Sequence, residues 1–315
     1  MELRQLRYLI GIHEAGGVLA ASRNLHVAQP ALSQSIAALE SELGVKLFSR
    51  SNKGMLLTDA GKTMLEHARV VLADVDRAKQ AVQVAEHAVQ GDVVVGLPTT
   101  VALVATLPVL QEVRLRYPGI RLKIIESHSG FLVEWLRAGR LDISVTFLTD
   151  SDASLTQVPL LEERLVVVSA TGQRLPNRGV KLTQLSKFSL LLPSQEHGLR
   201  RIIDDACRRA DVSLDVMAEI DSLPNIKKAV QAGVARTILS AGAVADEVAA
   251  GQLAIAPLHS PHISRRVACT TSMTRPTTPA TTALRDVIIE VTRRLLERGT
   301  WPGSWIGPER SPRAR

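Results

Sequence analysis

Gln29, Ser33, Gln34 and Ser35 carry short or medium, neutral side chains that both donate and accept hydrogen bonds. Those groups can read base edges in the major groove of a DNA duplex. The spacing predicts one helix from Gln29 to Leu43, with Gln29, Ser33 and Gln34 on its outward face, Ser35 alongside and Ala37 adding a methyl group. The helix contains no Lys or Arg, so phosphate contacts fall to Arg23, Lys46, Arg50, Lys53 and the backbone N–H groups at helix starts. A second candidate site lies further on. Pro98-Thr99-Thr100 follows a strand and opens a helix, so its free N–H groups and two hydroxyls suit an anion. Ser127-His128-Ser129, Thr146-Phe147 and Pro193-Ser194 also end strands, where α/β folds bind ligands. Thr99, Thr100, Ser127, Ser129, Thr146, Phe147 and Pro193 are therefore candidate small-molecule contacts, although each also fits ordinary strand-end chemistry.

Enzyme chemistry has little to work with. There is no Ser/His/Asp elbow, phosphate loop or paired metal spacing. His259 and His262 come nearest to a metal pair, but Pro261 lies between them and no Cys or acidic partner follows at a suitable distance. No catalytic residue, metal or cofactor is expected.

The reading helix needs neighbours to hold it. A helix from Val18 to Leu25 precedes it, separated only by His26-Val27-Ala28. Pro30 fits the first turn of the second helix and Gly44 its end. Ala21, Leu25, Val27, Leu32, Ile36 and Leu39 can share one small core, and Leu3, Leu6, Leu9 and Ile10 form the stripe of a preceding helix. A helical hairpin that merely packs would look similar. The flank distinguishes them: residues 45–61 read as a strand, a basic turn, a return strand and a capped helix start, which together make a wing.

These segments resemble the LysR-type transcriptional regulators. The resemblance is carried by Ala21, Leu25, Gln29-Pro30-Ala31-Leu32-Ser33, Ile36, Leu39-Glu40, Glu42-Leu43-Gly44-Val45, Leu47-Phe48, Arg50, Gly54 and Leu57-Thr58-Asp59-Ala60-Gly61. Later segments are more loosely similar to the nitrogen assimilation control branch of that family. This chain departs from the family at Gly17, where a capping serine is usual, and at Ala20 and Gln34, which are often basic. Ala235 and Ser240 stand where Gly and Pro are common.

Ala68, Val71, Val75, Ala78, Val82, Ala85 and Val89 recur at alternating steps of three and four along a helix starting at Thr58. Such a seam suits a partner helix, but it could also lie on its own domain. A dimer would present two reading helices to an interrupted inverted repeat. After Gln90-Gly91, strands alternate with helices, which predicts α/β layers with mostly parallel strands.

The expected organisation is a mainly-α winged helix-turn-helix domain at 1–60, a linker and dimerisation helix at 58–89, and an α/β regulatory domain at 92–300. The resemblance implies that this last domain has two subdomains like a periplasmic binding protein, about 92–161 plus 269–300 and about 162–268. Residues 301–315, rich in Pro, Gly and Arg, are expected to be a disordered tail.

The net charge of +7 does not itself argue for DNA. Residues 1–90 carry +1, 91–290 carry +2 and 291–315 carry +4, so most of the excess sits in the tail. The two cysteines, Cys207 and Cys269, show no paired spacing, which fits a reducing cytoplasm. Neither an export signal nor a membrane-length apolar run is present, so no membrane partner is expected. The resemblance implies a cytoplasmic homodimer or homotetramer that binds double-stranded DNA, takes a small organic anion as effector and works with RNA polymerase. A solute-binding module without a regulatory role is the alternative; residues 1–89 speak against it.

Overall fold

The computed structural model describes residues 1–51, 54–83, 89–148, 152–176 and 178–309. The chain divides into two compact units, the first made of 1–86 and 138–140.

In the first unit, α1 (Leu3–Ala15), α2 (Val18–Leu25) and α3 (Gln29–Leu43) precede the hairpin β1 (Phe48–Ser51) and β2 (Gly54–Leu57), and α4 (Asp59–Gln83) follows. Leu6, Leu9, Ile12, Ala21, Leu32, Ile36, Leu39, Leu47, Phe48 and Ala68 form its core, with Leu25 and Val27 partly buried against it. The stripe of α1 is thus Leu6, Leu9 and Ile12, whereas Leu3 is exposed and Ile10 half-buried. Ala68 is fully buried in this core and Val71 packs against it, so the start of the predicted seam serves the chain's own domain. Further along α4, Val75 is half-buried and Ala78 exposed, while Val82 and Ala85 lie outside the described side chains.

The second unit contains β3 (Gln90–Leu97), α5 (Thr99–Arg116), β4 (Gly119–Glu126), α6 (Ser129–Arg137), β5 (Ile143–Phe147) and the long β6 (Leu155–Ala170). Then come β7 (Val180–Lys181), β8 (Ser189–Leu192), α7 (Gly198–Arg209), β9 (Asp215–Glu219), α8 (Leu223–Gln231), β10 (Thr237–Ser240) and α9 (Ala245–Ala249). The chain continues through β11 (Leu253–His259), β12 (Ser264–Ser272), α10 (Pro279–Glu297) and β13 (Ser304–Trp305). The main sheet runs β4-β3-β5-β12-β6-β11-β7, with β10 and β13 also on β6, and β8-β9 pair separately.

Two apolar clusters show why this unit has two lobes. One contains Val93, Ile143, Leu161, Leu284 and Trp301; the other contains Val167, Leu191, Ile203, Val230 and Leu258. Strand β6 serves both. Its first half pairs with β12, and its second half pairs with β10 and β11. The expectation of mostly parallel strands needs correction. β3, β4 and β5 are parallel, as are β8 and β9, but every partner of β6 runs antiparallel to it. Antiparallel pairing needs no helical crossover, so two adjacent strands can carry the chain out of one lobe and back.

The tail is also corrected. Trp301 is buried, β13 pairs antiparallel with Leu161 and Glu162, and the Ile306 N–H donates to the Leu160 carbonyl at 3.0 Å. Gly303 is required there, since a Cβ would lie 2.7 Å from the Glu162 carbonyl oxygen. Residues 310–315 lie outside the described residues. No helix among the described residues is long and apolar enough to cross a membrane.

Candidate nucleic-acid interface and ligand cavity

The turn between α2 and α3 is sharp because His26 adopts a left-handed conformation, φ 54°, and the Val27 N–H reaches back to the Ser22 carbonyl at 3.1 Å. Helix α3 then buries Leu32, Ile36 and Leu39, which turns Gln29, Pro30, Ser33, Gln34 and Ala37 to solvent. Ser35 is half-buried and its carbonyl accepts from Gln5 Nε2 at 3.4 Å. Ala28 caps α3 without a side-chain acceptor, so its first turn is open to an anion. Arg23 is exposed and makes no ion pair among the described residues. Lys53 and the Arg50 side chain lie outside the described residues.

Lys46 is engaged within the domain. Its Nζ lies 2.6 Å from Glu40 Oε2, while Glu40 Oε1 accepts the backbone N–H groups of Leu47 at 2.9 Å and Phe48 at 3.3 Å. Glu40 therefore ties the end of α3 to the start of the wing. Burial opposes its ionisation, but Lys46 and the two N–H groups outweigh that and hold its pKa below the ordinary 4.5. A carboxyl that titrates lower when folded adds stability above its unfolded pKa and loses it as pH falls through the folded value. Glu40→Gln is accordingly expected to flatten the stability profile of the first unit between about pH 5 and pH 3 in circular dichroism melts.

Thr58 links the wing to α4. Its Oγ1 accepts the Gly61 N–H at 3.0 Å and donates to the Lys46 carbonyl at 2.6 Å, and its N–H donates to the Leu47 carbonyl at 3.0 Å. The first turn of α4 thus rests directly on the chain entering β1.

In the second unit, Thr99, Thr100, Ser127, Ser129, Phe147 and Pro193 line one cavity between the lobes, together with Pro98 and His128. The cavity is narrow, with about 30 Å³ of space open to the centre of a water molecule. Thr146 does not line it. That side chain is buried and shares a 2.6 Å hydrogen bond with Thr270 Oγ1, because successive strand residues face opposite sides and Phe147 takes the cavity side.

Arg265, His197 and Asp221 also line this cavity, and so do Leu199, Leu223, Ile226 and Leu239. The strand-end rule reaches Asp221, which follows β9 and precedes α8, and His197 just ahead of α7; it does not reach Arg265. The Arg265 side chain is 1% exposed. Its Nε donates to Glu163 Oε1 at 2.5 Å, its Nη2 to Thr100 Oγ1 at 2.8 Å and to Ser240 Oγ at 3.2 Å. Its guanidinium carbon stands 4.1 Å from the centre of the Phe147 ring. Glu163 Oε2 accepts the Trp301 indole N–H at 2.8 Å. Register places Arg265 directly opposite Glu163 on β12 and β6.

His197 and His128 meet edge to face, 4.7 Å between ring centres. Burial, then the nearby His128 and Arg265, push His197 down to about 4, against the pull of Asp221. Neutral His197 accepts the Leu199 N–H at its Nδ1, 3.1 Å, and so caps α7. Asp221 Oδ1 accepts the Ser194 N–H and Oγ–H, both at 2.9 Å. The Ser194 N–H is the main reason its carboxyl lies below 3.8; burial opposes and the hydroxyl, His128 and His197 assist. No group of three His, Cys, Asp or Glu among the described residues is arranged to hold a metal ion.

A winged helix-turn-helix with an exposed reading face, joined to a two-lobed unit with a cavity at its strand ends, defines a DNA-binding transcription regulator with an effector-binding domain. The family model for bacterial regulatory helix-turn-helix proteins of the lysR family matches residues 3–62, and that for the LysR substrate binding domain matches 86–293. The chain belongs to the LysR family. It is 31% identical over 295 residues to the nitrogen assimilation regulatory protein nac of Klebsiella aerogenes, covering 93% of this chain and 96% of that protein. It is 29% identical over 248 residues to the dual regulator OxyR of Escherichia coli, covering 78% and 81%. Among solved structures, a full-length OxyR variant from Pseudomonas aeruginosa matches with a TM-score of 0.72 at 25% identity, covering 93% of this chain and 95% of that one. Full-length CbnR complexed with its target DNA shares the fold, with a TM-score of 0.67 at 23% identity and coverage of 93% and 99%.

Proposed function

We propose that this regulator reads an interrupted inverted repeat and is controlled by a small organic anion held between its lobes. The observation that carries the second half is a convergence of positive ends. The first residues of α5, α6 and α8 (Thr99, Ser129, Leu223) line the cavity, as do His197 and Leu199 on either side of the first residue of α7, beside one buried guanidinium. Each helix start carries a partial positive charge, and its first-turn N–H groups lack intrahelical partners, although at α7 His197 already takes the Leu199 N–H. Thr99, Thr100, Ser127, Ser129, Phe147 and Pro193 are the proposed contacts.

On DNA, Gln29, Ser33 and Gln34 are the proposed base-reading groups, with Pro30 fixing the helix start. Arg23, Arg50 and Lys53 would serve phosphates directly, and Lys46 through its hold on Glu40. The working form is a homodimer or homotetramer in the cytoplasm, acting on promoter DNA with RNA polymerase. Two features support assembly: the exposed Ala78 of α4, and a stripe of exposed Leu103, Leu107 and Leu110 along α5.

The test is selection of bound duplexes from a random pool by the full-length protein. An inverted repeat is expected to emerge, and Gln29→Ala should relax one position in each half-site at a cost of about 1–3 kcal/mol. Arg23→Ala should weaken all duplexes alike and reduce the salt slope by about 1. Failure to enrich any sequence, with or without small acids present, would overturn the reading.

A thiol-based response to oxidants is a second reading, but the two cysteines here argue against it. Cys207 and Cys269 are both buried, in different lobes, with burial pushing their pKa values up to about 11 and about 12. Neither presents the exposed thiolate that such chemistry needs.

A further inference from the structure

The cavity carries two fixed charges of opposite sign. Arg265 is the only Lys or Arg lining it among the described residues, and Glu163 already balances that charge. Its Nη1 makes no hydrogen bond among the described residues, although the side chain is almost wholly buried. Asp221 uses Oδ1 for both of its bonds to Ser194, and its Oδ2 makes none among the described residues. Arg265 and Asp221 both line this one cavity, with His197 also on its wall.

That arrangement discriminates among anions. A dianion would meet a single, already neutralised cation and would be repelled by Asp221. A plain monocarboxylate would satisfy Arg265 and the helix starts but would bring no cation to Asp221. A ligand with a carboxylate and an ammonium group answers both ends, and an alkyl group would meet Leu199, Leu223 and Ile226.

We propose that the cavity takes a small α-amino acid, its carboxylate on Arg265 Nη1 and the start of α5, its ammonium on Asp221. The proposal rests on the anion reading above and narrows it to one ligand class. The narrow cavity restricts the side chain to a short one.

The experiment is calorimetric titration of the full-length protein with each protein amino acid in turn, and with propionate, lactate and succinate for comparison. At least one small amino acid is expected to bind, and propionate, which is alanine without its amino group, about tenfold more weakly or worse. Asp221→Asn, an exposed change that spares the core, should weaken the amino acid about tenfold to a hundredfold and leave propionate no weaker, since it removes a repelling charge. If propionate, lactate or succinate binds as tightly as any amino acid, or if Asp221→Asn leaves amino-acid affinity unchanged, the amino-acid assignment fails and the anion reading survives. If none of these acids binds, both fail.

Discussion

Glu163→Ala is expected to cost the second unit about 3–5 kcal/mol, the usual consequence of stranding a buried charge. The Arg265 guanidinium would lose its counter-charge while 1% exposed, and the Trp301 indole N–H would lose its acceptor. Glu163→Gln gives little relief. Its amide can offer an oxygen to Arg265 only by turning an NH2 group toward the Trp301 N–H. For a unit of this size the loss corresponds to a drop in midpoint on the order of 10 °C. The readout is selective, because all three tryptophans, Trp135, Trp301 and Trp305, lie in the second unit. A fluorescence melt unchanged from wild type would show that the ion pair does not hold the two connecting strands together.

Gly61→Ala should prove nearly as damaging to the first unit, against the trend of helix propensity. Replacing glycine by alanine inside a helix ordinarily gains about 1 kcal/mol. Here the added Cβ would sit 2.0 Å from the Leu47 carbonyl oxygen, a backbone atom with no freedom to swing aside. Relief requires α4 to move off the chain entering β1, which breaks the Thr58 bonds to Lys46 and Leu47. The expected cost is about 1–3 kcal/mol or more. DNA affinity should fall while the tryptophan melt of the second unit stays in place. A variant as stable as wild type and fully competent for DNA would refute the close approach.

Local chemistry explains what the sequence made legible. Pro30, Gly44 and the spacing of Leu32, Ile36 and Leu39 act within a few residues of one another, so the reading helix and its bounds could be placed. The cavity contacts followed from one rule about strand ends, and six of seven reached the cavity. Thr146 failed because the rule does not say which face a strand residue takes. Arg265 was invisible for a different reason. Its partners Glu163, Thr100 and Phe147 lie more than a hundred residues away, and Arg265-Arg266 looks like an ordinary solvated pair. The one available hint was the opposite charge of Glu162-Glu163 and Arg265-Arg266, which becomes informative only once β6 and β12 are known to be neighbours. The tail misled through its composition. Its glycines mark places where the backbone lies against β6 and leave no room for a side chain.

Strand β13 has a practical corollary for anyone handling this molecule. Residues 301–306 shield the outer hydrogen-bonding edge of β6 beside the lobe connection. Clipping the chain ahead of Trp301, by a protease or by a shortened expression plasmid, would bare that edge and invite chains to stack through it. Affinity handles are therefore best appended after residue 309, where they leave the seal intact.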